Sequence, residues 1–160
     1  EDEMKRLGLE RHILAHGDVS DELLTALFRS ARFMIFPSLF EGLGLPLLEA
    51  FRNGTPVLAA NETCIPEVVG DAALLFDGRD IEAIAAAIAE ALDHPEMLED
   101  FNSRASARLD LFSWDRAGPA FASCYKQLLG KTLTIEEKRI FTRITAGAGP
   151  NPPAMSAAAS

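Results

Sequence analysis

Apolar positions along this chain recur first at helical and then at strand spacing. In residues 21–31, Leu23, Leu24, Leu27, Phe28 and Ala31 fall on one helical stripe. Ser20 is a candidate N-cap, and Asp21 and Glu22 suit the positive end of that helix. Phe33-Met34-Ile35-Phe36 is a short apolar run closed by Pro37, the pattern of a buried strand, and Ile13-Leu14-Ala15 is a shorter strand candidate. Pro46 suits the first turn of a helix running to about Asn53, with Gly54 at its C-terminal cap. Residues 57–60 and 73–76 read as strands, separated by a helical turn over 66–70 and followed by an Asp77-Gly78 turn. Asp80 then caps a helix over 81–92, whose core stripe is Ile84, Ile88 and Leu92. Pro95 opens a helix to about Leu109, and a last helix runs from near Ser113 to Leu129, capped by Gly130. Gly118-Pro119 lies within that last helix, so the helix either starts later or kinks there. Strands alternating with helices predict an α/β fold, a parallel sheet with helices on both faces.

Composition narrows the function. The 160 residues are 48% hydrophobic and 24% charged, with a net charge of −9, the mix of a soluble globular chain. Such acidity disfavours nucleic acid, which is gripped by Lys and Arg, and an anionic membrane surface. No run approaches the ~18 apolar residues of a membrane span, and Glu1-Asp2-Glu3-Met4-Lys5 is not the start of a signal peptide. Cys64 and Cys124 are too few for a thiolate metal site and read as two reduced thiols of a cytosolic domain. Residues 131–160 carry four basic and two acidic side chains, net +2, which leaves −11 on residues 1–130. The reading is therefore a folded unit over 1–130 and a flexible extension over 131–160, ending in a Gly/Pro/Ala-rich tail.

The chemistry concentrates in Phe36-Pro-Ser-Leu-Phe-Glu41-Gly42-Leu43-Gly44-Leu45-Pro46-Leu-Leu-Glu49-Ala50. Here a strand ends, a glycine-bearing loop follows and a helix begins, the place where open α/β sheets bind ligands. Gly42 and Gly44 let the backbone approach a ligand, and the amides of Gly44 and Leu45 open a helix whose positive end can hold phosphate. Glu41 and Glu49 flank that helix start, and carboxylates there suit hydroxyls of a ribose or a sugar ring. A plainer reading stands beside this one. Glu49 also suits a solvated helix face, Glu41 a loop surface, and Gly-x-Gly at such a turn also serves as turn chemistry. The residues themselves thus point to a phosphate-binding α/β domain.

The run Pro37-Ser38-x-x-Glu41-Gly42-x-Gly44-Leu45-Pro46-x-x-Glu49-Ala50, then Gly54-Thr55-Pro56-Val57, resembles retaining glycosyltransferases of family 4, the glycosyl transferases group 1. The resemblance continues through Ile65-Pro66-Glu67-Val68-Val69-Gly70-Asp71-Ala72-Ala73 and Phe112-Ser113-Trp114, and covers roughly residues 7–129. It implies the latter part of the Rossmann-like C-terminal domain of a GT-B enzyme. It implies transfer of a hexosyl group from a nucleotide-diphosphate sugar, such as a GDP- or UDP-hexose, in polysaccharide or glycoconjugate synthesis. By the same carry-over Glu49 takes the ribose hydroxyls, Glu41 is the catalytic carboxylate facing the donor sugar, and the backbone at Gly42, Leu43, Gly44 and Leu45 holds sugar and diphosphate. His16 falls at the edge where the base packs. The family needs no metal or other cofactor, and no Asp-x-Asp occurs here.

Two departures qualify the resemblance. Nothing matches the Arg and Lys that neutralise the leaving diphosphate in the family, because Lys5, Arg6 and Arg11 lie too late in the pattern. The acceptor-binding domain is also absent. The implied protein is therefore a donor-side piece, inactive alone, with a missing N-terminal half as its partner. It would be cytoplasmic, with membrane contact only through that half, peripheral at the inner membrane in a full-length enzyme. The alternative is a non-catalytic nucleotide-sugar-binding or scaffold domain of the same fold, against which the retention of both Glu41 and Glu49 argues. Trp114 is expected in the core under the last helix, Cys64 is incidental, and His12 and His94 are surface residues.

Overall fold

The structure is a computed structural model and describes residues 2–145. Its centre is a parallel sheet of three strands in the order β1 (Met34–Phe36), β2 (Val57–Ala60), β3 (Ala73–Phe76). The register sets Ile35 beside Leu58 and Leu58 beside Leu74. All four residues of β2 are fully buried, so the middle strand is covered on both faces and its side chains are apolar without alternation. Helices α3 (Leu45–Arg52) and α4 (Ile65–Val69) make the two crossovers. α1 (Asp2–Arg6) and α2 (Asp21–Ser30) precede the sheet; α5 (Ile81–Asp93), α6 (Pro95–Leu111), α7 (Trp114–Leu128) and α8 (Ile135–Thr145) follow it.

Local chemistry explains most of these boundaries. Ser20 caps α2 by accepting from the Leu23 N–H at 3.3 Å, and Asp80 caps α5 by accepting from the Glu82 N–H at 2.9 Å. The α3 helix ends at Gly54, which takes φ +75° just past its C-cap. Its inner face buries Leu47, Ala50 and Phe51 against the sheet, worth about 1.5–3 kcal/mol for each large side chain. The buried Thr55 hydroxyl donates to the Phe28 carbonyl at 2.8 Å and ties the end of α2 to the entry of β2. Arg108 of α6, only 8% exposed, donates to the carbonyls of Val68 and Glu67 and so satisfies the end of α4.

Several expectations change. Ile13-Leu14-Ala15 is coil, not a strand: Ile13 and Leu14 are exposed and pair with no neighbouring strand, so neither burial nor a ladder holds them. On α5 the fully buried residues are Ala87 and Ala91; Ile84 and Ile88 are half-buried and Leu92 is exposed, because the small alanines let the helix approach closely. Trp114 is not core but 82% exposed, since α7 packs on α8 and not on the sheet. The α7 helix runs unbroken through Gly118-Pro119, and the Pro119 carbonyl takes a hydrogen bond from the Ser123 hydroxyl at 2.7 Å. Residues 135–145, expected within a flexible extension, form α8. A reciprocal cap starts that helix: Thr134 Oγ1 accepts from the Glu137 N–H at 3.2 Å, and Glu137 Oε2 accepts from the Thr134 N–H at 2.9 Å. The expected Gly/Pro/Ala tail lies outside the described residues. Among the described residues no helix is long and apolar enough to cross a membrane.

Candidate functional site

The C-terminal ends of the three parallel strands lie at one edge of the sheet; the loop leaving β1 there carries Glu41, and the helix that follows, α3, carries Glu49. Gly44 is the N-cap of α3 and adopts φ +71°, ψ 53°, a conformation that an L side chain strains to reach. A β-carbon on residue 44 would also stand 2.9 Å from Cδ1 of the buried Leu47. Gly42 differs: a β-carbon there meets nothing within 4 Å, so the fold itself does not require glycine. At the helix start Pro46 has no N–H and the Leu47 N–H turns back to the Gly44 carbonyl at 3.0 Å, which leaves the Leu45 N–H as the first open donor. Leu43 and Leu45 are exposed around that opening.

Glu41 is half-buried and held from three sides. Ser38 Oγ donates to its carboxylate at 2.9 Å, its N–H donates to Thr63 Oγ1 at 3.1 Å, and its carbonyl accepts from Cys64 Sγ at 3.3 Å. Glu49 is exposed on α3 and lines a groove of about 560 Å³. Leu45 and Arg52 of α3 form one wall of the groove, and Asp110, Phe112 and Trp114 at the α6–α7 corner form the other. Glu41 is not among its lining residues. His16 is exposed in the coil before α2 and does not line this groove. A second groove of about 500 Å³, bounded by Lys131, Leu133, Lys138 and Phe141, lies at the α7–α8 turn and contains none of the predicted site residues.

Sequence reasoning thus locates the loop and the helix start but misses Ser38, Thr63 and Cys64 as partners of Glu41. Ser38 stands three residues before Glu41 and is legible as a local contact. Thr63 and Cys64 arrive from the end of another strand, 22 and 23 residues later, and carry no local signal. The Cys64 thiol, expected to be incidental, donates a hydrogen bond to the Glu41 carbonyl. Among the described residues no group of three or more His, Cys, Asp and Glu side chains is placed to hold a metal ion.

Comparison with known proteins shows the family and the fold. Residues 1–108 match the family described as Glycosyl transferases group 1. The O-antigen chain mannosyltransferase B of Escherichia coli is 42% identical over 112 residues, covering 70% of this chain and 29% of that protein. The D-inositol 3-phosphate glycosyltransferase of Streptomyces griseus subsp. griseus is 36% identical over 126 residues, covering 78% of this chain and 27% of that protein. Among solved structures, the sucrose-phosphate synthase from Thermosynechococcus elongatus superposes with a TM-score of 0.73 at 26% identity, over 81% of this chain and 33% of its own. The chain spans about a third or less of the length of each of these proteins. The structural likeness identifies the parallel sheet as a Rossmann-like domain of the GT-B fold. With the matched residues covering most of the sequence and running through the paired-glutamate segment, this chain belongs to the glycosyl transferases group 1 family.

Proposed function

We propose that this chain is the donor-binding side of a retaining glycosyltransferase of family 4, one that moves a hexosyl group from a nucleotide-diphosphate sugar to an acceptor in polysaccharide or glycoconjugate synthesis. The observation that carries this reading is the pair Glu41 and Glu49 set about a left-handed Gly44 turn and an open helix start at the C-terminal edge of a parallel sheet. Glu49, exposed and facing its groove, accepts hydrogen bonds from the ribose hydroxyls. Glu41 faces the donor sugar. The backbone at Leu43, Gly44 and Leu45 holds the diphosphate with amides and the positive helix end. Open space at Gly42 leaves room for the donor to approach, and His16 stands at the edge of the base.

In this scheme the transfer is metal-independent and proceeds on one face of the sugar. The bond from the anomeric carbon to the diphosphate breaks, the acceptor oxygen bonds to that carbon, and the leaving diphosphate takes the acceptor's proton. The chain's residues supply positioning and charge stabilisation and no covalent nucleophile. Residues 1–130 form the donor unit and 131–160 an appendage. The acceptor-binding half and the basic residues that meet the diphosphate come from the remainder of a longer enzyme, in keeping with relatives of which this chain matches only 29% and 33%. The chain alone then lacks transferase activity. The complete enzyme works in the cytoplasm, attached peripherally to the inner membrane through its other half. Both sugar nucleotides GDP-mannose and UDP-glucose are suitable donors to try, since the similar Escherichia coli protein is a mannosyltransferase.

Calorimetry on the complete enzyme with GDP, UDP and ADP tests this reading. Glu49→Ala is expected to weaken binding of the preferred nucleotide by on the order of 1–3 kcal/mol. Unchanged affinity would remove Glu49 from the ribose site.

A further inference from the structure

Thr63 stands in the loop between β2 and α4 with φ +48°. It is the one non-glycine residue with positive φ among the described residues. For a β-branched side chain that conformation is strained, and it persists only where the surroundings enforce it. The strained backbone presents Thr63 Oγ1 to the Glu41 N–H at 3.1 Å, and the next residue donates its thiol to the Glu41 carbonyl at 3.3 Å. Both main-chain polar groups of Glu41 are thus held by consecutive side chains of another strand's loop. The carboxylate is held separately by Ser38, 2.9 Å from Oε1.

The bracing loop is itself fixed on its far side. The Asn61 N–H donates to the Phe76 carbonyl at 2.8 Å, and Arg79 Nε donates to Glu62 Oε1 at 2.9 Å. At Gly78 a β-carbon would stand 2.8 Å from the Ala60 side chain and 3.0 Å from that of Leu39, so the three strand-end loops pack directly on one another. Lateral contacts therefore run from the β3 turn through residues 61–64 to Glu41. A glycine at position 63 would accept this backbone without strain but would offer no hydroxyl. The strain is retained at the residue whose side chain reaches Glu41.

We propose that Thr63 is a positioning residue of the transferase site: its left-handed backbone aims the hydroxyl that, with Cys64 and Ser38, fixes where the Glu41 carboxylate stands against the donor sugar. The proposal rests on the reading of Glu41 as the donor-facing carboxylate. The test is made in the complete enzyme, reading nucleotide release from the donor it turns over, with Glu41→Gln run in parallel. Misplacing a reacting group by an ångström costs up to about a hundredfold, so Thr63→Val is expected to lower kcat by about 10–100-fold with KM for the donor within about threefold. Thr63→Ser, which keeps the hydroxyl, is expected to recover most of that loss. A role in folding alone would move the melting temperature and leave kcat per folded molecule unchanged. Full kcat in Thr63→Val beside a crippled Glu41→Gln overturns the positioning role. Full kcat in Glu41→Gln overturns the reading of Glu41 instead. Should Thr63→Val not fold, Ser38→Ala decides: a fall in kcat at constant KM supports the bracket, and unchanged kcat overturns it.

Discussion

Arg108 Nε donates to the Val68 carbonyl at 2.9 Å, and the guanidinium fills the space beside Gly70, where a β-carbon would stand 2.9 Å from its Cζ. Gly70 has φ +57° and ends α4, so the arginine and the glycine close that helix together. The guanidinium also lies 5.8 Å from the Phe112 ring centroid. Removing it leaves the Val68 and Glu67 carbonyls without their donor in a buried setting. Arg108→Met is expected to lower unfolding free energy by roughly 1.5–3 kcal/mol, read as a drop in urea midpoint at unchanged slope. Arg108→Lys is expected to restore only part, because an ammonium lacks the planar fork that reaches both carbonyls.

The two loop glycines separate stability from ligand access. Gly44→Ala places a side chain at φ +71° and against Leu47, and is expected to cost about 1–2 kcal/mol in chemical denaturation. Gly42→Ala meets open space and is expected to stay within about 0.5 kcal/mol of the parent. On the proposed function the same methyl still intrudes on the donor, so nucleotide-sugar affinity falls while the denaturation curve does not move.

Trp114 is the only tryptophan of the chain and is 82% exposed on the wall of the Glu49 groove. Its fluorescence is expected to show the emission and free acrylamide quenching of a solvated indole. Trp114→Ala is expected to change the stability of this chain by less than about 0.5 kcal/mol. Leu58→Ala, at a fully buried strand position, is expected to cost about 2–5 kcal/mol. A blue-shifted, unquenchable Trp114 would place the ring inside a packed environment and contradict the groove.

The start of α8 is expected to lose local stability in acid. Lys126 donates to the Glu137 carboxylate, and the Thr134 N–H donates to it as well; these contacts hold the Glu137 carboxyl below the usual glutamate range, Lys126 contributing most. A carboxyl with a lowered pKa adds stability that is fully present above its unfolded value and is lost as pH falls through the folded one. Amide protection over residues 135–145, taken relative to intrinsic exchange at each pH, is therefore expected to fall below the ordinary glutamate pKa of about 4.3. Glu137→Gln is expected to remove that pH dependence.

The elements legible in the amino-acid sequence share one property: their determinants are neighbours in the chain. Ser20 and Asp80 cap helices through contacts two or three residues away. The segment from Phe36 to Ala50, the end of β1, its loop and the start of α3, is a contiguous motif, so its glycines, glutamates and helix start are all readable, and the family with them. The Thr134-x-x-Glu137 cap is equally local and is the sequence signal of α8, hidden within a stretch whose composition suggests a flexible extension. Ile13-Leu14-Ala15 fails as a strand because an apolar triplet carries no information about a partner.

Periodicity and contiguous motifs thus determine the α/β class, the order of most elements and the glutamate-bearing loop, since each rests on chemistry within a few residues. Contact at long separation settles the rest. Glu41 meets Thr63 across 22 positions, Arg108 meets Val68 across 40, and the exposure of Trp114 depends on α7 choosing α8 over the sheet. Burial is a property of what stands opposite a side chain, and in this fold the opposite wall comes from distant sequence.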